Sequence, residues 1–385
     1  MTTPSDSVRA VPAKIAPLTS LRFFAALGVV FFHLQGAVIP MRSIGQFALG
    51  VSFFFVLSGF ILAVAYPDMS RTSLTRFYVS RLARLWPVHA LCWAAFVWLY
   101  GTSMLTNEVW MPKIFTNLAM LQAWIPTQVY VFSGNSVSWS ISAEMGFYLL
   151  FPMLAGSRHP GKVAITIGIL IAIGIFQLQF FGIDFAEQDP FKFSGASLIL
   201  QSPFVRVFEF AVGVWAGRVF MGGNLQRAVS SAPNLAEGMA LVLLLAFGLG
   251  VNHVGQWLGD TGNVGYMIWW CQAGGAPFFA LLIFVFAHAR GKVSQVLSWK
   301  PLVFLGEASF ALYMVHQIII KYSVIQGWHK LLPWWQTTGV MLAVIFATTL
   351  AVYLLWEKPM RWLILKLYDG LNQGFRLLAS RLLAV

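Results

Sequence analysis

Charged residues are scarce in this sequence. Only 10% of its 385 residues are Asp, Glu, Lys or Arg, whereas 58% are hydrophobic and the mean hydropathy is +0.74. Because about a quarter of the residues of a soluble domain are charged, this scarcity excludes an ordinary water-soluble fold. Long apolar runs such as GMALVLLLAFGLGV and MLAVIFATTLAVYLLW are typical of segments that face lipid. The sequence therefore predicts a multi-pass membrane protein.

Signals of several other protein classes are missing as well. Cys92 and Cys271 each lie in an apolar run, so we expect core residues and not a disulfide. The histidines show no HExxH or CxxC spacing, and no metal site is expected. The FVLSGF run lacks the G-x-S-x-G pattern, so Ser58 is not expected to be a nucleophile, and Gly59 is interpreted as a site of close helix packing. The amino-terminal residues lack the apolar core of a cleavable signal peptide.

The apolar segments that are long enough to be spans number about ten. They lie near residues 18–39, 45–66, 84–101, 142–155, 162–182, 204–220, 234–250, 266–287, 301–321 and 335–355. If the amino terminus is inside, eighteen Lys and Arg residues fall on the inner side and six on the outer side, with Arg22 set aside inside a span. The positive-inside rule then places both termini in the cytoplasm.

The predicted fold class is an all-α, polytopic transmembrane helix bundle. Residues 1–17 are predicted to be a cytoplasmic segment, residues 18–355 a transmembrane domain, and residues 356–385 a basic amphipathic tail on the inner surface. The net charge of +12 is explained by basic residues at span ends, so nucleic acid is not an expected partner.

The first span contains two polar residues that hydrocarbon does not favour, Arg22 and His33. Eleven residues make three helical turns with about 20° of slip, so the two side chains share one face, about 16 Å apart along the axis. That separation is about half of the hydrocarbon thickness of a bilayer. Arg22 alone would be interpreted as snorkelling and His33 alone as a packed core residue, but the shared face favours a joint role.

Further basic residues lie at the predicted cytoplasmic end of the third span. Arg81 and Arg84 are three residues apart, hence neighbours on one helical turn, and Arg76 lies just upstream. One interpretation is positive-inside topology. The other is a pair of guanidinium groups that bind phosphate in a bidentate manner.

A carboxylate, Glu144, lies at the predicted outer start of the fourth span. One interpretation is an acid favoured by the helix dipole, with Ser138 or Ser140 as the cap. The other is that Glu144, flanked by Trp139 and Tyr148, orients a sugar or a catalytic imidazole.

Two further groups of polar residues fall inside spans. Ser309, Tyr313 and His316 follow one stripe of the ninth span and are expected to line a cavity. Arg206 and Glu209 are three residues apart and are interpreted as a buried ion pair that fixes a helix.

A long donor that carries phosphates would contact these positions together. Coenzyme A has this form, with a phosphorylated nucleotide and a pantetheine arm that ends in a thioester. Phosphates held by Arg81 and Arg84 would let the arm pass Arg22 and reach His33. Its apolar surroundings would keep His33 neutral and able to act as general base on an alcohol.

These fragments, in this order, resemble the membrane-bound acyltransferase-3 family, whose members acylate cell-surface polysaccharides, lipopolysaccharide, Nod factors and some small molecules. The resemblance covers nearly all of the chain. It rests on Arg22 with His33, FFFVLSGF, SRLARLWP, SWSISAEMGFYLLFP, SFALYMVH and the EKP at 357–359. It implies a helix bundle, a cytoplasmic acyl-CoA donor and an acceptor hydroxyl that arrives from the outer side. It also implies that Arg22 and His33 are the essential pair and that Arg81 and Arg84 contact the donor.

We therefore expect an O-acyltransferase of the inner (plasma) membrane, most simply an O-acetyltransferase, that uses acyl-CoA and no metal to modify an envelope or secreted glycan, free or lipid-linked. The expected catalytic residues are His33, Arg22 and Glu144. The residues expected to contact the donor are Arg81, Arg84 and Arg22. The residues expected to contact the acceptor are Trp139, Tyr148, Ser309, Tyr313 and His316.

Two other classes of protein are alternatives. In a proton-coupled secondary transporter of a polyol or sugar acid, the intramembrane His, Glu and Arg residues would form a proton relay. Such transporters often contain inverted repeats, and the sequence shows no internal repeat. A structural subunit of an export machine would leave the shared face of Arg22 and His33 unexplained.

Overall fold

The computed structural model describes residues 15–40, 45–101, 110–223 and 225–382. Within these ranges the chain forms α-helices, short 3₁₀ turns and loops, and contains no β-strand. The α-helices are α1 (Ala16–Leu34), α2 (Gly50–Ala65), α3 (Leu74–Tyr100), α4 (Trp110–Leu118), α5 (Gln128–Val131), α6 (Trp139–Gly156), α7 (Pro160–Phe180), α8 (Gly195–Gln201), α9 (Pro203–Gly222), α10 (Gln226–Ser231), α11 (Pro233–Asp260), α12 (Val264–Ala273), α13 (Ala276–Ala287), α14 (Lys292–Leu297), α15 (Lys300–Glu307), α16 (Ser309–Ile325), α17 (Trp334–Val352) and α18 (Lys358–Leu382).

Local sequence signals set the helix ends that matter for the site. α1 begins with Pro17 in its first turn, where the missing N–H leaves no helical hydrogen bond unmade. The side chain of Ser73 caps α3 by accepting a hydrogen bond from the N–H of Arg76 at 3.3 Å. α3 ends at Gly101, whose φ of +72° favours glycine. All the basic residues predicted at the inner end of the third span are therefore carried by one helix.

Eight helices among the described residues are long and apolar enough to cross a membrane. The number becomes nine if α15 and α16, which meet at a bend of 58°, form one span. The prediction of an all-α polytopic bundle is confirmed. The predicted segment near 142–155 forms α6, which is not among these apolar helices. Its first two turns contain Ser140, Ser142 and Glu144, which lower its hydropathy, and it packs against α2 and α9 inside the bundle.

Glycines allow α2 and α9 to pack backbone against backbone. A Cβ added at Gly59 would lie 2.1 Å from the carbonyl oxygen of Phe210, and one added at Gly213 would lie 2.0 Å from that of Val56. Small residues permit this approach in membranes, where packing drives helix association. The interpretation of Gly59 as a close-packing residue is confirmed.

The last predicted span continues into the predicted tail without a break. α17 passes through a π-helical turn, Tyr353–Glu357, into α18. α18 runs antiparallel to α3, because Trp356 Nε1 donates a hydrogen bond to the carbonyl oxygen of Pro87 at 2.8 Å and Arg76 is paired with Asp369 further along. The amino-terminal half of α3 is therefore covered by the last helix of the chain.

The structure describes only part of the two predicted terminal segments, and it also shows the state of the two cysteines. Residues 1–14 of the predicted segment 1–17, and residues 383–385 of the predicted tail, lie outside the described residues. The inner-surface location of the tail stays a prediction. Cys92 is buried, Cys271 is partly buried, and both thiols are free.

We expect Gly59→Ala to destabilise the protein, because the added methyl group must push α2 away from α9. Overpacking of this kind costs about 1–3 kcal/mol, which a lower melting temperature in detergent would report. Gly248→Ala in α11 is the matched control, since a Cβ there meets nothing within 4 Å and alanine is the better helix former. Equal melting temperatures for the two variants would contradict the packing assignment.

Candidate active site

A pair of histidines joins α1 to α16. α1 runs alongside α15 and α16 in the same direction, which brings the last turn of α1 to the middle of α16. The Nε2 atom of His316 lies 3.1 Å from the Nδ1 atom of His33, and the two ring centroids are 5.0 Å apart. His316 is fully buried, whereas His33 is partly exposed. Of the two rings, His33 is therefore the one that a substrate can reach.

The hydrogen bonds of the pair fix the tautomer of each ring. His33 Nδ1 lies 3.0 Å from the carbonyl oxygen of Val29, and His316 Nδ1 lies 3.2 Å from that of Leu312. A carbonyl oxygen can only accept, so both Nδ1 atoms carry the proton when the rings are neutral. His316 Nε2 is then an acceptor for the Nδ1–H of His33, which it shares with Val29. The Nε2 atom of His33 keeps its lone pair and is the basic nitrogen of the pair.

The first helix also carries Arg22, three turns before His33 on the same face. Its side chain is surrounded by protein yet keeps partial solvent access, which is typical of a residue that lines an internal cleft. The groups that interact electrostatically with it are Arg84, Glu357, Glu144 and Tyr148. The structure thus brings the predicted residues Arg22, Arg84 and Glu144 into one electrostatic neighbourhood.

Four guanidinium groups from three helices form this neighbourhood, and we call them the arginine cluster. They are Arg22 of α1, Arg81 and Arg84 of α3, and Arg361 of α18. The guanidinium carbon of Arg81 lies 5.9 Å from the ring centroids of Tyr66, Phe77 and Tyr148. Like charges gathered in this way repel one another unless an anion is present, so the arginine cluster can bind a polyanion such as a diphosphate.

A buried carboxylate accompanies the arginine cluster. Glu357 ends the π-helical turn, is 7% exposed, and interacts electrostatically with Arg84, Arg22 and Arg361. Its Oε2 atom has no hydrogen-bond partner. A buried carboxylate oxygen without a hydrogen-bond partner is costly, and the electrostatic attraction of the three guanidinium groups offsets part of that cost.

Glu144 lies in the second turn of α6 and not at its cap. Its Oε1 atom accepts hydrogen bonds from Ser58 Oγ at 2.8 Å and from the hydroxyl of Tyr148. The side chain of Ser138 does not cap the helix, and Ser140 Oγ donates to the carbonyl oxygen of Val137 instead. The capping interpretation is therefore wrong. No hydrogen bond links Glu144 to His33, and the imidazole that contacts His33 is His316.

The residues predicted to contact the acceptor are mostly enclosed. Tyr148 is 1% exposed and Ser309 is fully buried with no partner for its hydroxyl. The hydroxyl of Tyr313 donates to the carbonyl oxygen of Val137 at 3.1 Å. Trp139 is partly exposed and lies 5.6 Å from the guanidinium of Arg206. Of this predicted set, Trp139 is open to an approaching acceptor, and Tyr148 packs inside the protein.

Arg206 and Glu209 form the buried ion pair that their spacing predicts. Two nitrogens of Arg206 reach the carboxylate, at 2.6 Å for Nη2–Oε1 and 3.2 Å for Nε–Oε2. Ser52 of α2 contacts both partners, at 2.9 Å from each. Because every charge is satisfied within the protein, this pair joins α9 to α2 and is not part of the reactive site.

The sequence reasoning missed three residues of this neighbourhood, namely Ser58, Glu357 and Arg361. Glu357 and Arg361 are four residues apart in EKPMR and so share a helix face. That spacing directly after the last span is a signal that could have found them. Ser58 and Glu144 are 86 positions apart in the sequence, so no local sequence pattern predicts their contact. The described residues contain no group of three His, Cys, Asp or Glu side chains placed to hold a metal.

Comparison with known proteins identifies the family of this chain. The family model described as an acyltransferase domain matches residues 16–357. The chain belongs to the acyltransferase-3 family. It is 30% identical over 332 residues to Acyltransferase MdmB of Streptomyces mycarofaciens, covering 80% of each chain. It is 27% identical over 333 residues to O-acetyltransferase OatA of Staphylococcus aureus, covering 81% of this chain and 51% of OatA. No solved structure matches the chain.

Family membership decides the class of protein. The chain is an acyltransferase, an enzyme that transfers acyl groups, and its apolar helices make it a multi-pass membrane protein. The transporter alternative finds no support in the family. The chain spans about half of the length of OatA, so the activity of that whole protein is not carried over by this match.

We expect Arg206→Ala to destabilise the protein strongly, because it leaves the Glu209 carboxylate buried without its counter-ion. Breaking a buried pair in this way costs about 3–5 kcal/mol, measurable as a loss of folded protein on thermal unfolding in detergent. Arg71→Ala is the matched control, since Arg71 pairs with Asp68 with 82% of its side chain exposed, and exposed pairs contribute at most about 1 kcal/mol. Similar stability of the two variants would contradict the structural role of Arg206.

Proposed function

We propose that the protein is an integral O-acyltransferase of the inner (plasma) membrane, most simply an O-acetyltransferase. It would move an acyl group from acyl-CoA at the cytoplasmic face to a hydroxyl of an envelope or secreted glycan, free or lipid-linked. Family membership supports acyl transfer, and the similarity to the O-acetyltransferase OatA supports an O-acetyl product. The observation that carries the proposal is the basic Nε2 atom of His33, which shares a helix face with Arg22.

His33 is the general base in this proposal. Its Nε2 atom removes the proton of the acceptor hydroxyl as the oxygen attacks the thioester carbonyl carbon. The carbon–sulfur bond breaks, and the departing thiolate of CoA receives that proton. While His33 is protonated, its Nδ1–H becomes a charge-assisted donor to Val29 and His316. His316 thereby acts as a positioning residue that stabilises the cationic ring.

The arginine cluster is the proposed site of the donor phosphates. Arg81, Arg84 and Arg361 come from helix ends that the charge distribution assigns to the inner side. Arg22, the member of the cluster on α1, lies about 16 Å from His33 along that helix. A pantetheine arm can cover that distance, so the phosphates would stay at the inner side while the thioester reaches the histidine pair. The proposed path thus follows one face of α1 from Arg22 to His33.

In this proposal Glu144 positions Arg22 on the donor path and does not orient the general base His33. Its carboxylate interacts electrostatically with Arg22 and is held by Ser58 and Tyr148. A fixed negative charge beside Arg22 keeps the guanidinium oriented while the arm passes. We therefore assign Glu144 the role of positioning Arg22.

We expect His33→Ala to reduce acyl transfer by about 10²–10⁴-fold, the usual contribution of general base catalysis, with CoA binding retained. The measurement is transfer of labelled acetyl from acetyl-CoA in purified, folded protein. His288→Ala is the matched control, because His288 makes the same Nδ1 contact to a carbonyl four residues earlier, at 2.9 Å to Phe284, without a second histidine. His316→Phe should lower kcat and leave CoA affinity unchanged. A folded His33→Ala variant with wild-type turnover would refute the assignment.

The proposed direction of transfer has its own test. We expect product when oriented vesicles receive acetyl-CoA only at the cytoplasmic face and the glycan acceptor only at the opposite face, because the arginine cluster and His33 lie at different depths. The His33→Ala protein in the same vesicles is the control for leakage. If product forms only when donor and acceptor share one compartment, transfer across the bilayer is excluded.

A further inference from the structure

An open polar cleft lies between the first turns of α3 and the middle of α18. Its volume is about 780 Å³, within the range of small-molecule sites. The residues that line it are Ser73, Thr75, Arg76, Tyr368, Asp369, Leu371, Asn372 and Gln373. They offer three hydroxyls, one of them on an aromatic ring, two amides and one ion pair. This mixture is suited to a ligand with both hydrogen-bonding edges and negative charge.

The position of the cleft follows from the antiparallel packing of α3 and α18. The contact of Trp356 with Pro87 and that of Arg76 with Asp369 fix the register of the two helices. Arg76 lies eight residues before Arg84 in α3, which is about 12 Å along the axis, on the side away from His33. The histidine pair, the arginine cluster and the cleft therefore follow one another along the bundle.

We propose that this cleft binds the adenosine 3′-phosphate end of a coenzyme A donor, and that the 3′-phosphate replaces Asp369 as the partner of Arg76. The inference rests on the proposed function, since it assumes an acyl-CoA donor. If the diphosphate occupies the arginine cluster and the arm extends towards His33, the nucleoside must lie on the opposite side of the diphosphate. The cleft lies in that direction from the arginine cluster, and residues of α3 and α18 line it.

The ion pair across the cleft is suited to such an exchange. Arg76 and Asp369 keep 56% and 41% of their side chains exposed, and exposed pairs contribute little to stability. A phosphate accepts two hydrogen bonds from one guanidinium and carries more charge than a carboxylate. An arriving 3′-phosphate can therefore displace Asp369 without unfolding either helix, since Trp356 still holds α18 against α3.

The cleft depends on residues beyond the region that defines the family. The match to the family model ends at residue 357, whereas the α18 wall of the cleft begins at Tyr368. The nucleotide end of the site is therefore assigned from the last helix of this chain and not from the family domain.

The test is calorimetric titration of the full-length protein in zwitterionic nanodiscs with CoA and with dephospho-CoA, which lacks the 3′-phosphate. We expect wild type to prefer CoA. Arg76→Ala should weaken CoA binding about tenfold, the usual loss of a hydrogen-bonded charge contact, and leave dephospho-CoA binding unchanged. Asp369→Asn should strengthen CoA binding only, because it removes the competitor for Arg76. Arg227→Ala, at an exposed arginine in α10, is the matched control and should change neither.

The outcomes separate this proposal from its alternatives. If Arg76→Ala and Asp369→Asn weaken both ligands equally, the ion pair only holds α3 to α18 and the cleft assignment is wrong. If wild type binds CoA and dephospho-CoA alike, the cleft assignment fails while the proposed function stands. If wild type binds neither, both fail. If the preference for CoA disappears in nanodiscs that contain phosphatidylglycerol, a lipid headgroup is the occupant and the nucleotide assignment is overturned.

Discussion

The packing of α1 against α15 and α16 determines the relation between the reactive groups. A Cβ added at Gly306 would lie 1.9 Å from the carbonyl oxygen of Thr19, so the two backbones touch there. At the other end of α1, His33 meets His316 at 3.1 Å. These two contacts prevent α1 from sliding along its axis. Because Arg22 lies one turn beyond Thr19, the same register sets the depth of the cation and the partner of the imidazole.

Arg206 and the arginine cluster differ in how their positive charge is compensated. Arg206 has two nitrogens on one carboxylate and a serine between the partners, so its charge is satisfied within the protein. The arginine cluster contains more cations than carboxylates, and Glu357 beside it keeps an oxygen without a partner. Arg22, Arg81 and Arg84 are partly exposed and Arg361 is exposed, so an anion from solution can reach and bind these charges. Burial and pairing together separate Arg206, which is 1% exposed, from the arginines of the cluster.

Local spacing in the sequence predicted the helical fold, the shared face of Arg22 and His33, and the pairing of Arg206 with Glu209, because each depends only on helix geometry. Contacts between distant segments were not predictable in this way. The stripe containing His316 pointed to a cavity, but only the packing of α16 on α1 shows that this ring contacts His33. Glu144 was interpreted as an acid at the helix start, with Ser138 or Ser140 as the cap, because the start of α6 could not be located to within one turn.

The separation between the histidine pair and the arginine cluster limits the kind of donor that fits the site. In a small donor such as an acyl phosphate, the acyl carbon is bonded directly to the phosphate group. Such a molecule placed on the arginine cluster would leave its acyl carbon about three helical turns from His33, and placed at His33 it would lose the cations. A thioester on a long arm reaches both positions at once. In the proposed function, the same separation would account for a cation inside the bundle despite its cost, because Arg22 would lie beside the path of the donor arm between the anion site and His33.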